Sequence, residues 1–167
     1  MITMRQVKAL ESVNVDFDEY VPLTITWSSA RGVLEPPRYA EMHGRNGYLE
    51  FKFHPATRIL IEVVLAAAAG IQVEQVNLSP RNSEGINLMP FLDSGDAFPE
   101  TESPLVIKAY LDYLYISFGP DPDQWTGSGP VLFGLATGQS LAAICARWTG
   151  AERESVLAGH LDPALGV

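Results

Sequence analysis

From Tyr48 to Phe53 the chain alternates without a break. Tyr48, Glu50 and Lys52 fall on one side, and Leu49, Phe51 and Phe53 on the other. Successive side chains of an extended strand point to opposite faces, so this stretch predicts a strand with one apolar face on a core and one polar face toward water. His54-Pro55-Ala56-Thr57 reads as a turn. Arg58–Ala67 then brings the β-branched residues Ile59, Ile61, Val63 and Val64, and the two segments together predict a hairpin. A rival reading makes Thr57 an N-cap, 58–69 a helix rich in alanine and Gly70 its terminator. The β-branched residues favour the strand.

The rest of the chain continues in the same short units. Val21–Trp27, Ile71–Leu78, Leu105–Leu111, Tyr113–Phe118 and Val131–Leu135 read as strands. Residues 140–149 are ambiguous, because Leu141, Ile144, Cys145 and Trp148 also fit a helical face. A turn at Thr137-Gly138-Gln139 favours a strand that returns along 131–135. A short helix is expected near Ala151–Ala158, closed by Gly159. Residues 28–46 are read as mostly loop, because Gly32, Pro36-Pro37 and Gly44 interrupt them.

Seven or eight strands without long helical crossovers imply antiparallel pairing. The expected fold is mainly β, a twisted sheet or two-sheet sandwich, with an α+β arrangement as the alternative. The 167 residues fit one domain spanning 1–167. Hydrophobic residues at 47% and charged residues at 19% are enough for a real core. The N-terminus has no signal-peptide pattern, and the longest apolar run, Val63–Ile71, is too short to span a bilayer. With the single cysteine, Cys145, this predicts a cytoplasmic protein without a membrane partner.

The charge is unevenly spread. Between Asn82 and Ala146 lie Glu84, Asp93, Asp96, Glu100, Glu102, Asp112, Asp121 and Asp123, against the single base Lys108. This window carries most of the net charge of −9. Most of these acids belong to two segments read as long loops, 79–103 and 119–130. Both also hold large apolar residues: Met89, Phe91 and Phe98 in the first, Trp125 in the second. So much apolar surface predicts ordered loops that pack on the domain.

Chemical motifs are sparse. His43, His54 and His160 have no metal-site spacing. Asp93-Ser94-Gly95-Asp96 and Asp121-Pro122-Asp123 do not continue into a calcium loop. Gly127-Ser128-Gly129 is not a nucleophile elbow, and Cys145 in an apolar element reads as an inert core thiol. Among carboxylates, Asp16, Asp18, Glu50 and Glu62 lie on or beside strands and are the ones to inspect for acid–base pairs; solvent-facing alternation is the plainer reading of Glu50. Gly44-Arg45-Asn46-Gly47 lacks the Lys-Ser/Thr of a phosphate loop. The acidic balance argues against nucleic acid. No catalytic residue, metal ligand or cofactor is assigned.

What remains is recognition. Acids around aromatic anchors suit docking to a basic protein, with Asp93, Asp96, Phe98, Glu100, Glu102, Asp121, Asp123 and Trp125 as the partner-binding set. In composition and general design the chain resembles the immunity proteins of bacterial toxin systems, which neutralise basic nucleases. It matches no motif of theirs, so no residue is carried over. Two alternatives stand beside this reading. One is a small-molecule-binding or hydrolytic β-fold with a pocket under the 79–103 loop, lined by Tyr110, Tyr113, Trp27 and Trp148. The other is a structural subunit that forms a homodimer through an exposed sheet edge.

Overall fold

The computed structural model describes residues 2–80, 87–93, 105–137 and 139–160. Two mainly antiparallel sheets face each other across an apolar core. The smaller sheet has the order β2-β3-β6-β5-β4. Its strands are β2 (Val13–Asp16), β3 (Leu23–Trp27), β4 (Arg38–Gly44), β5 (Gly47–Phe53) and β6 (Leu60–Ala68). The larger sheet contains β7 (Gln72–Val73), β9 (Val106–Ala109), β10 (Tyr113–Ser117), β11 (Gln124–Ser128), β12 (Val131–Ala136) and β13 (Ser140–Arg147), in the order β11-β12-β13-β10-β9-β7. The paired strands β1 (Ile2–Gln6) and β8 (Leu88–Leu92) join it through a contact between Thr3 and Ser140. The mainly β, two-sheet expectation holds.

The β5–β6 hairpin forms as the alternation predicts. Leu49, Phe51 and Phe53 are fully buried, while Tyr48, Glu50 and Lys52 face outward. The 58–69 segment is strand, not helix. Lys52 pairs with Glu62 but Phe53 pairs with Leu60, so Ile61 is the extra residue of a bulge. That places Leu60 and Ile61 both in the interior despite their being neighbours. At the turn, the ring Nδ1 of His54 accepts from the backbone N–H groups of Ala56 and Thr57, each at 3.2 Å. Arg58 takes the left-handed conformation that reverses the chain. Residues 140–147 are likewise strand, paired along both edges.

Five strands form where none was assigned, giving thirteen among the described residues. β1 and β2 come from the N-terminal stretch. β4 lies inside the segment read as loop: Ala40 and Met42 do alternate inward, but they are weak strand formers flanked by prolines and Gly44. β8 lies inside the expected 79–103 loop despite Pro90. The alternation that turns the Leu92 N–H to the Arg58 carbonyl (3.0 Å) directs the missing Pro90 N–H away from β1, where no ladder bond is lost. β11 replaces part of the expected 119–130 loop, because 124–128 pairs with β12 across a Gly129-Pro130 turn, with positive φ at Gly129 in the turn and at Gly127 in the strand. Conversely, the expected strand at 71–78 shrinks to Gln72–Val73, which runs parallel to β9. Beyond it, the Leu78 N–H bonds the Asp112 carboxylate at 2.8 Å rather than a ladder.

One core cluster draws on both sheets, with Leu23, Ile25, Phe51 and Val63 from the smaller and Ile107, Leu114, Ile116 and Ile144 from the larger. Trp27 stacks on Phe133 at 6.0 Å across the gap. The helix α1 (Gly150–His160) closes one end. Thr149 and Glu152 form a reciprocal capping box: the Glu152 N–H bonds the Thr149 hydroxyl at 3.2 Å, and the Thr149 N–H bonds the Glu152 carboxylate at 2.7 Å. Gly159 lets the helix lie on the chain at Glu19, whose carbonyl a Cβ would strike.

Candidate functional site

The outer face of the larger sheet is unusually aromatic. In register, Tyr115 lies opposite Cys145, and Cys145 opposite Leu132. Tyr113, Leu132 and Cys145 form a buried cluster there, separate from the inter-sheet core, with Leu78, Tyr115 and Trp125 packed against it. Three half-buried rings run along the surface. Tyr110 meets Tyr115 edge-on at 6.2 Å, and Tyr115 meets Trp125 at 6.1 Å. These are ordinary separations for favourable aromatic pairs.

Burial raises the phenol pKa of Tyr110 and of Tyr115, with Glu74 adding to it at Tyr110 and Asp121 at Tyr115. Ser117 opposes the shift at Tyr115 through a hydrogen bond. The Cys145 thiol, fully enclosed, is pushed well up by burial and then by Asp112. It is therefore a protonated core group, as its apolar setting predicts.

Gly134 positions the acids on this face. A Cβ there would come within 2.6 Å of the Pro122 ring. Glycine at 134 thus lets the 119–123 segment lie on β12, with Asp121 and Asp123 exposed on either side of Pro122. Among the described residues neither carboxylate has an ion pair.

The register also locates the ends of the other acidic segment. Along one edge of β13, β10 occupies Ala143–Arg147 and β1 takes over at Ser140. β9 flanks β10, and β8 flanks β1. β8 ends with Leu92 opposite Ile2, and β9 begins with Val106 opposite Ser117. Asp93 and Leu105, which bracket 94–104, therefore stand where the two strand pairs meet end to end. The 119–123 segment leaves β10 at the same junction. Asp93 is exposed. Asp96, Phe98, Glu100 and Glu102 lie outside the described residues.

Of the expected docking set, the structure therefore brings together Asp121, Asp123 and Trp125. Trp125 packs on its own sheet through Tyr115 while keeping part of its surface open. Tyr110 and Tyr115, on the same face, are not in the expected docking set. The phase of Tyr113 and Tyr115 on β10 was the available signal. Two bases border the face. Lys108 is in register with Tyr115. The Arg147 guanidinium donates to the Tyr113 hydroxyl at 2.7 and 3.2 Å and lies 5.2 Å from its ring.

The outer face of the smaller sheet is polar in a different way. Lys52 sits between two carboxylates, 3.3 Å from Glu50 and in close contact with Glu62. The Tyr48 hydroxyl bonds Glu50 at 3.4 Å, and its ring lies 4.6 Å from that of His43, which in turn reaches Glu41 at 3.4 Å. Of the four carboxylates singled out for acid–base work, Glu50 and Glu62 are thus tied up by one lysine. Asp18 caps a turn through the Tyr20 N–H at 2.7 Å, and Asp16 is exposed on the edge strand β2.

No group of three His, Cys, Asp or Glu side chains among the described residues could hold a metal ion. His54 serves its turn, and the His160 Nδ1 lies 3.2 Å from the Ala68 carbonyl. Ser128 ends a strand that turns into β12, not into a helix. Trp27 and Trp148 belong to the inter-sheet core and Tyr113 to the outer cluster. No helix among the described residues is long and apolar enough to cross a membrane. Neither the family models nor the curated proteins compared with this chain give a match.

Proposed function

We propose that this chain is a non-enzymatic binding protein that docks a basic protein on the outer face of its larger sheet. The observation that carries the reading is the strip Tyr110–Tyr115–Trp125, open on one side, with Asp121 beside it and Asp123 next along the chain. Half-buried aromatics held by their own sheet offer contact area at little entropic cost, and they attract Arg and Lys heads through the ring quadrupole. Carboxylates without partners steer a cationic surface and speed its encounter. Asp93, Asp96, Phe98, Glu100 and Glu102, the rest of the expected partner-binding set, belong to the same proposal. A basic nuclease toxin, with acids standing in for phosphates in its cleft, is the finer form of the same reading.

The test is capture from a lysate of the source cell on the immobilised chain. A basic protein should be retained at low salt and released as salt rises. Asp121→Lys with Asp123→Lys should abolish retention, and Trp125→Ala should weaken binding by about 2 kcal/mol or more, roughly thirtyfold. Retention unchanged by both variants would sink the assignment of this face.

A further inference from the structure

A second site lies on the smaller sheet, away from the aromatic strip. An open cleft of about 420 Å³ is cut between β2, β3 and the short 3-10 turn Ser28–Ala30. Its polar lining comes from Ser12, Asn14, Thr26, Ser28 and Arg31; Val13 and Trp27 also border it, but both pack on the inter-sheet core. The volume is in the range of small-molecule sites. The fold explains how the donors converge. Asn14 and Thr26 are cross-strand partners, and the Ser28 N–H bonds the Ser12 carbonyl at 3.0 Å, pinning the turn to β2. Among the described residues no side-chain hydrogen bond or ion pair engages Asn14, Thr26 or Arg31. In a chain of net charge −9, the cleft thus holds an exposed guanidinium and no carboxylate in its lining.

We infer that this cleft binds a small organic carboxylate. The guanidinium fork matches a carboxylate in two parallel bonds, and the Ser12 and Thr26 hydroxyls and the Asn14 amide can donate to the remaining lone pairs of its two oxygens. Glu11 limits the ligand's charge. Its Oε2 accepts from the Ser29 N–H at 2.8 Å and from the Ser28 hydroxyl at 3.3 Å. A carboxylate beside the rim tolerates one negative charge better than two, which disfavours a phosphate dianion.

Titrating lactate into the isotope-labelled full chain, followed by amide NMR shifts, tests this. Saturable shifts are expected at Asn14, Thr26 and Ser28, with none from glycerol and weaker ones from inorganic phosphate. Arg31→Gln should weaken lactate at least about tenfold, as expected for a lost charge-assisted hydrogen bond, while Arg31→Lys should keep part of the affinity. Arg31 is exposed, so both variants should fold. The inference is overturned by shifts that do not saturate, by glycerol or phosphate matching lactate, or by Arg31→Gln binding like the parent chain. Because the cleft and the aromatic strip lie on different sheets, either can fail without the other.

Discussion

The two outer faces handle negative charge in opposite ways. On the smaller sheet Glu50 and Glu62 share Lys52, and Tyr48 adds a hydrogen bond to Glu50, so both carboxylates are engaged within the molecule. On the larger sheet Asp121 and Asp123 are exposed and lack ion pairs among the described residues, beside rings whose surface is only partly covered. Carboxylates engaged internally contribute to stability. Carboxylates left open contribute little to stability and much to encounter with other molecules. A count of acids along the chain cannot separate the two, but a count of their partners can.

The sharpest way to break this contrast is to remove Lys52. Lys52→Ala leaves two partly buried carboxylates facing each other and should cost about 1–3 kcal/mol in urea unfolding. The Asp121→Asn, Asp123→Asn double variant should change stability by no more than about 0.5 kcal/mol. Equal losses in the two would erase the distinction. Next in size is Gly134→Val. Its side chain would collide with Pro122, so about 1–2 kcal/mol of stability should go, and the shifted 119–123 segment should also weaken partner capture. Loss of stability with capture intact would detach Gly134 from the docking face.

A smaller effect is expected in alkali. The Tyr48 phenol is raised by burial first and then by Glu41 and Glu50, and Tyr110 and Tyr115 are raised by burial. Lys52 is also raised: burial alone would lower it, but its bonds to Glu62 and Glu50 prevail. Groups raised in the folded state lend stability that is complete below their unfolded values, 10.0 for tyrosine and 10.5 for lysine. That stability is lost as pH climbs through the folded values. The urea midpoint should therefore hold to about pH 9 and decline above about pH 10. Tyr48→Phe should make the decline shallower, and an unchanged slope would contradict the role given to Tyr48. The least perturbing probe is a thiol reagent. Cys145 should stay unlabelled in the native chain at neutral pH and react fully once it is unfolded.

The hairpin at 47–68 was legible because large apolar residues repeat with a period of two in Tyr48–Phe53, whereas 140–147, with Leu141 and Ile144 three apart, was read as a strand only through the turn at Thr137-Gly138-Gln139. β4, β8 and β11 were not, and each failed for a local reason. In β4 the inward residues are Ala40 and Met42, in β8 a proline interrupts the run, and in β11 Gly127 takes the place of a side chain. In all three, neighbouring strands supply through pairing what intrinsic propensity does not.

The site was half legible. Sequence placed Trp125 with Asp121 and Asp123, because they are neighbours along the chain. Tyr115 belongs with them only through the path of 119–123 across β12, which rests on the absent side chain of Gly134. Arg31 gave no signal at all, since a lone arginine beside a turn becomes a candidate only when β2 and β3 bring Asn14 and Thr26 opposite each other.

The most direct test of the docking face is amide and indole NMR shift mapping of the full chain with an arginine-rich peptide at low salt. Perturbations are expected at Tyr110, Tyr115, Asp121, Asp123 and the Trp125 indole, lost as salt is added, with Glu50, Lys52 and Glu62 unmoved. Perturbations centred on Glu50 and Glu62, or spread evenly over both sheets, would contradict that docking face.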